Sequence, residues 1–183
     1  MNSRRLVLLG LIAFGLIVSN PSLKARETPR DAPQWEISEW LNGDGTTIDK
    51  LKGRVVIVEF FQLWCPGCNK FSIPLVKYWE GKFADEIAAD KLVVVSIHTV
   101  FEGHNYQTTR RLKKFLKEKS ITHLVGIDRH ADGAFVPMTM RRYGTRGTPE
   151  MAFIGKSGKI RFQKFGFFEP DAAEALLKRL LAE

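Results

Sequence analysis

Val55-Val56-Ile57-Val58-Glu59-Phe60-Phe61 leads through Gln62-Leu63 into Trp64-Cys65-Pro66-Gly67-Cys68. A seven-residue run rich in Val, Ile and Phe has the composition of a buried strand. Beyond the cysteines, Phe71, Leu75, Trp79 and Phe83 recur at four-residue steps, which predicts one apolar face of a helix. The two cysteines therefore stand where a strand hands over to a helix. At i and i+3 on a first helical turn they lie side by side, within bonding reach. Cys65 faces the orphan N–H groups and the positive end of the helix dipole, an environment that stabilises a thiolate. The thiolate is the nucleophile of disulfide exchange. Cys68, a turn further in, is more shielded and is placed to act second, releasing a mixed disulfide. Pro66 fits a helix start because its missing N–H is not needed there. Gly67 leaves the approach to Cys65 sterically open.

Two plainer uses of the pair compete. A fixed structural disulfide closing a two-residue loop gains little chain entropy. Half of a zinc site would need further ligands, but the chain has only 2 Cys, and its 4 His are scattered. A C-x-x-C in a strand–helix context favours redox use.

The chain has 183 residues, 44% hydrophobic, which suits one domain with a substantial core. Residues 1–25 hold Arg4, Arg5 and Lys24 and no acid, so without them the formal charge drops from +8 to +5. With acids interspersed, that balance reads as a solvated basic surface and calls for no nucleic-acid partner.

Arg4 and Arg5 precede Leu6–Val18, thirteen residues without a charge. This pattern predicts a secretory signal peptide over residues 1–25 or, if uncleaved, a membrane anchor. The run is short for a span of about 20 residues. Ser3-Arg4-Arg5 hints at twin-arginine export. Either route delivers the domain outside the reducing cytosol, where disulfide chemistry is permitted. Residues 26–33, with Pro29 and Pro33, read as a linker, and 34–183 as the domain. Trp35–Leu41 and Thr46–Leu51 flank Asn42-Gly43-Asp44-Gly45, which predicts a short N-terminal hairpin.

Glu59 lies inside the apolar strand, six residues before Cys65. A carboxylate buried there has a raised pKa and could accept the Cys68 proton when that thiol attacks the mixed disulfide. The competing reading is a strand face reaching solvent, or a lysine partner. Pro74 is expected to kink the helix. Leu92–Ile97 reads as a second buried strand with His98 at its end, a position more often structural than catalytic. Thr108 or Thr109 caps a basic helix, Ile121–Asp128 is a third strand, and Met138–Tyr143 is a short helix. Met151–Gly155 and Lys159–Phe165 form an antiparallel hairpin, and Pro170 opens a last helix that turns Leu176, Leu177, Leu180 and Leu181 to the core.

The order is strand, C-x-x-C helix, strand, helix, strand, Thr-Pro, hairpin and helix. It resembles the thioredoxin fold, an α/β architecture with a mixed central sheet flanked by helices. Within it the chain looks most like the exported TlpA/ResA group. The matching residues are Ala32-Pro33 with the hairpin, Leu51-Lys52-Gly53-Arg54-Val55-Val56, Trp64-Cys65-Pro66-Gly67-Cys68, Gly147-Thr148-Pro149 and Gly158-Lys159-Ile160. The resemblance implies a cis Thr148–Pro149 bond facing the cysteines, with adjacent backbone pairing with the substrate chain. It implies that Trp64 covers part of the site and that Glu59 takes the place of a buried acid. Pro66-Gly67 reverses the familiar Gly-Pro order, and Glu150 is acidic where such proteins often carry Thr.

The resulting expectation is a periplasmic or otherwise exported thiol–disulfide oxidoreductase that reduces disulfides in client proteins, without cofactor or metal. Cys65, Cys68 and Glu59 are its catalytic residues, and Trp64, Pro66, Gly67, Thr148 and Pro149 bind substrate. Its partners are cysteine-containing clients, such as apocytochrome c or a copper-site protein, and an upstream thiol reductant that is membrane-bound or soluble. The chain itself touches a membrane only through an uncleaved N-terminus. A copper(I)-delivery metallochaperone using the same two thiolates, helped by Met138 and Met140, is the rival of another class. A peroxidase of the peroxiredoxin type needs Thr-x-x-Cys, and Gln62 stands at that position. A non-catalytic binding domain would keep the pair inert.

Overall fold

The computed structural model describes residues 29–183. The expected signal peptide or anchor, and the start of the linker, lie outside the described residues. Among the described residues no helix is long and apolar enough to cross a membrane.

Seven strands form one sheet: β1 (Arg30–Asp31), β2 (Ile37–Leu41), β3 (Val55–Phe61), β4 (Leu92–His98), β5 (Leu124–Asp128), β6 (Glu150–Ile154) and β7 (Lys159–Phe165). The helices are α1 (Ile73–Lys82), α2 (Ala84–Ala88), α3 (Thr109–Lys119), α4 (Met138–Tyr143) and α5 (Pro170–Ala182). The sheet order is β1-β7-β6-β3-β4-β5-β2. The centre, β3-β4-β5, is parallel, whereas β6 runs antiparallel to β3 and β7 to β6. This is the mixed, helix-flanked sheet of the thioredoxin-like fold.

Every residue of β3 is buried, so it carries a core on each face. Val56, Val58 and Phe60 pack with Trp35, Ile48, Leu51 and Tyr143. Val55 and Ile57 meet Val76 and Trp79 of α1 and Leu177 and Leu180 of α5. Phe61 meets Cys65, Cys68 and Leu112 of α3. Strand side chains alternate, so Glu59, between Ile57 and Phe61, faces the helices that carry the cysteine pair.

Three expectations are corrected. The N-terminal hairpin is absent: β2 pairs with β5 at the far edge, and Asp49–Leu51 is a 3₁₀ turn. Ile48 and Leu51, spaced by three, both reach the core from that turn, a helical and not a strand periodicity. The linker ends earlier than residue 33, because Arg30 and Asp31 pair with Ile160 and Lys159 of β7, and the Ala32 N–H donates to the Gly158 carbonyl at 2.9 Å.

The third correction concerns the helix after the cysteines. Helical residues begin at Pro66 and run without a break through a π turn, Cys68–Ser72, into α1. The extra residue of a π turn rotates every later side chain about the helix axis. The buried face is therefore Ile73, Val76, Trp79 and Phe83, while Phe71 and Leu75 are only partly covered. Pro74 falls inside this continuous helical run, two residues past the π turn, and its missing N–H interrupts the regular hydrogen-bond ladder there, as expected.

Candidate active site

The strand-to-helix handover places the sulfurs. Cys65 and Cys68 are joined as a disulfide, with Cα atoms 5.2 Å apart. The Cys68 backbone N–H donates to Cys65 Sγ at 3.1 Å, so an orphan donor of the helix start points at that sulfur. Asn69 pins the turn: its Nδ2 donates to the carbonyls of Leu63 (2.9 Å) and Cys65 (3.0 Å). The two sulfurs differ in access. Cys65 keeps 6% of its surface and lines an open groove of about 620 Å³, whereas Cys68 is at 0% and does not line it.

The groove is lined by Gln62, Trp64, Cys65 and Pro66 of the cysteine turn, by Phe101 and Glu102, and by Arg146, Gly147, Thr148 and Phe165. Trp64 is 44% exposed and stacks on Tyr106, ring centroids 5.4 Å apart. Its Nε1 donates to Gln62 Oε1 at 3.1 Å, and the Arg111 guanidinium lies over the Tyr106 ring. Trp64 also covers Gly103, where any Cβ would collide with its six-membered ring.

The Thr148–Pro149 bond is cis. Pro149 is buried, and its carbonyl accepts the Gly166 N–H at 2.8 Å. Thr148, half-buried, is the residue that the groove sees. A Cβ at Gly67 would come within 2.8 Å of Pro149 Cδ. Gly67 thus lets the proline loop close on the cysteine turn, a role beyond leaving Cys65 open. The neighbouring Glu150 is buried and accepts from Gln163 Nε2 and from the Arg146 N–H, and burial raises its pKa.

Glu59 is 1% exposed. Ser72 Oγ donates to its Oε1 at 2.5 Å, and Ser96 Oγ to its Oε2 at 2.7 Å. Ser72 follows Cys68 by four residues, so the carboxyl sits under the same helical segment. Desolvation pushes its pKa up, and the two hydroxyls only partly oppose that. His98, also at 1%, has a different task. Its Nε2 meets Gln107 Oε1 at 3.0 Å, which also accepts the Leu63 N–H at 3.0 Å, tying the end of β4 to the loop before Cys65. Burial lowers the His98 pKa to about 4.

Sequence reasoning singles out the cysteines, Glu59, Trp64 and the Thr148–Pro149 pair; Trp64, Cys65 and Thr148 line one groove, Pro149 packs on Gly67, and Glu59 lies off the groove, bonded to Ser72 of the cysteine helix. Asn69, Ser72, Ser96 and Gln107 are not among those singled out. Ser96 carries a signal, a lone hydroxyl inside the apolar run Leu92–Ile97, and β4 sets it directly opposite Glu59. Among the described residues no group of three or more His, Cys, Asp and Glu is gathered to hold a metal.

The family model described as Redoxin matches residues 30–180. Sporulation thiol-disulfide oxidoreductase A of Bacillus subtilis is 25% identical over 177 residues, covering 96% of each chain. Among solved structures, the thioredoxin-like superfamily protein SPOA0173 superposes with a TM-score of 0.78 at 39% identity, over 84% of this chain and 97% of that one. A thiol-disulfide isomerase from Corynebacterium glutamicum gives 0.74 at 34% identity, over 83% and 97%.

Proposed function

The chain belongs to the Redoxin family and is a thiol–disulfide oxidoreductase of the thioredoxin-like kind; on that premise we propose that it acts outside the reducing cytosol to reduce disulfides in client proteins. The observation that carries this reading is the asymmetry of the pair, with Cys65 open to the groove and Cys68 sealed behind it. Reduced Cys65, as thiolate, attacks one sulfur of a client disulfide, and the client's other sulfur leaves as thiolate. Cys68 gives its proton to Glu59 and attacks Cys65 Sγ. The Cys65–Cys68 disulfide forms, and the second client sulfur leaves reduced. An upstream thiol reductant then returns two electrons and two protons. Trp64, Pro66, Gly67, Thr148 and Pro149 shape the groove that holds the client chain.

Export is supported by the basic start and uncharged apolar run of residues 1–25. Clients of the right chemistry are exported proteins whose cysteines must be reduced before they take a haem or a copper ion.

The test is the reduction potential of the pair together with catalysed reduction of insulin. A strongly negative potential, with turnover lost in Cys65→Ser, is expected. A potential near those of strong oxidants reverses the direction of electron flow. Tight one-to-one copper(I) binding with negligible insulin reduction replaces this reading by metallochaperone use of the same thiolates.

A further inference from the structure

Glu59 must shed the proton it receives before it can accept another. It is 1% exposed, and each of its oxygens is held by a hydroxyl. A proton does not cross an apolar core unaided, so it needs a hydrogen-bonded way out.

One such way leads from its Oε2. Ser96 Oγ lies 2.7 Å from that oxygen and 2.8 Å from His123 Nε2. On the other side of the ring, His123 Nδ1 lies 2.9 Å from Glu80 Oε1. Exposure rises along the chain of contacts: the His123 side chain keeps 7% of its surface and that of Glu80 keeps 23%. The fold fixes the spacing. Glu59 and Ser96 are register partners in β3 and β4, Ser96 pairs with Val125 of β5, and His123 immediately precedes β5. Glu80 reaches the ring from α1. The ionisable groups whose charge is felt at Glu59 are His123 and Glu80.

We propose that Ser96, His123 and Glu80 form a proton relay connecting Glu59 to solvent. This rests on the reading of Glu59 as proton acceptor for Cys68. Outward, the Glu59 proton passes to Ser96 Oγ while the Ser96 proton passes to His123 Nε2. The imidazolium so formed passes its Nδ1 proton to Glu80 Oε1, 2.9 Å away, which releases it to solvent, and the neutral ring regains its Nδ1–H tautomer before the next transfer. No electrons move, and one proton leaves for each that Cys68 gives up. A serine hydroxyl both donates and accepts, and an imidazole holds a proton on either nitrogen, so each member has the chemistry the relay demands. These are positioning residues: they act on the sulfurs only through Glu59.

The experiment mixes the reduced full-length protein with Ellman's reagent and follows release of the coloured thiolate. The first release reports attack by Cys65, and the second reports attack by Cys68 on the mixed disulfide. Near neutral pH, His123→Ala should slow the second phase about tenfold, less than the roughly hundredfold loss of a general base. The first phase should stay within about twofold. Added imidazole, a mobile proton carrier, should restore the second phase in proportion to its concentration. Ser96→Ala, a small change unlike the loss of a ring, should slow the same phase without rescue by imidazole. An unchanged second phase in His123→Ala, a loss indifferent to imidazole, or equal slowing of both phases overturns the relay. Glu59→Gln separates the two levels. If it slows the second phase while His123→Ala does not, the relay alone fails; if it has no effect, the Glu59 reading fails and the relay with it.

Discussion

Gly67 packs directly beneath Pro149, so closely that one added carbon would lie 2.8 Å from the proline Cδ. The cysteine turn and the proline loop, 82 positions apart in the chain, are thereby held in contact beside the groove. Gly67 has helical φ and ψ, so alanine would gain the usual helix preference of about 1 kcal/mol. Overpacking costs about 1–3 kcal/mol and outweighs it. Gly67→Ala should therefore lose roughly 1 kcal/mol in urea unfolding and lower turnover with protein clients, because the loop must move off Cys65. Stability equal to or above that of the parent would mean the loop yields freely.

Glu59 sets a pH signature. Its folded pKa is raised by burial, so the folded state binds its proton more tightly than the unfolded chain. The associated stability is full below the ordinary 4.5 and is lost as pH rises through the folded value. Glu59→Gln removes that loss. Its stability relative to the parent should climb between acid and neutral pH, by about 1.4 kcal/mol for each tenfold difference in proton affinity between the states. Urea titrations at a series of pH values measure this, and a pH-independent difference would contradict it.

His98 works with the opposite sign. Its pKa falls from 6.5 to about 4 on burial, so the unfolded chain takes up a proton the folded one refuses. Its contribution is present above 6.5 and is lost as pH falls through about 4. His98→Asn should flatten the acid limb of the stability curve across that window, the full effect being on the order of 3 kcal/mol. Asp128 and Glu150 are also perturbed by burial, so the comparison is parent against variant and not the parent curve alone.

Trp64 is tied down by Tyr106 and Gln62 yet leaves 44% of its surface beside Cys65. Removing a stacked aromatic pair at the surface costs about 0.5–1.5 kcal/mol. Trp64→Ala should show that modest cost and a several-fold higher KM for a folded client, with a smaller effect on a low-molecular-weight disulfide. Equal effects on both substrates would place Trp64 outside client recognition.

The strands of the sheet centre are legible because β3 and β4 are apolar runs broken only by Glu59 and by Ser96 and His98, and the cysteine spacing marks the handover to a helix. The β6–β7 hairpin is legible from Lys156-Ser157-Gly158. Phase and pairing are not. Pro74 signals a break in the regular ladder but not the extra residue of a π turn, so a stripe of four-residue steps runs through Leu75 where Ile73 and Val76 carry the buried face. Asn42-Gly43-Asp44-Gly45 is good turn chemistry, but a turn does not say which strand comes next, and β2 finds its partner in β5, more than eighty residues on. At the site, Glu59 stands out as the wrong residue type for a core, and Cys65 and Cys68 stand out by their spacing. Ser72 and Glu80 share one helical run while His123 stands just before β5, and their links to Glu59 and Ser96 arise only once the sheet register is set.

The central claim is that the two sulfurs have unequal tasks, Cys65 meeting the client and Cys68 releasing it. Trapping in cells or with purified clients tests it most directly. Cys68→Ser should accumulate mixed disulfides through Cys65, visible on non-reducing gels and dissolved by dithiothreitol, while Cys65→Ser should accumulate none. Equal trapping by both variants, or trapping only through Cys68, would contradict the account.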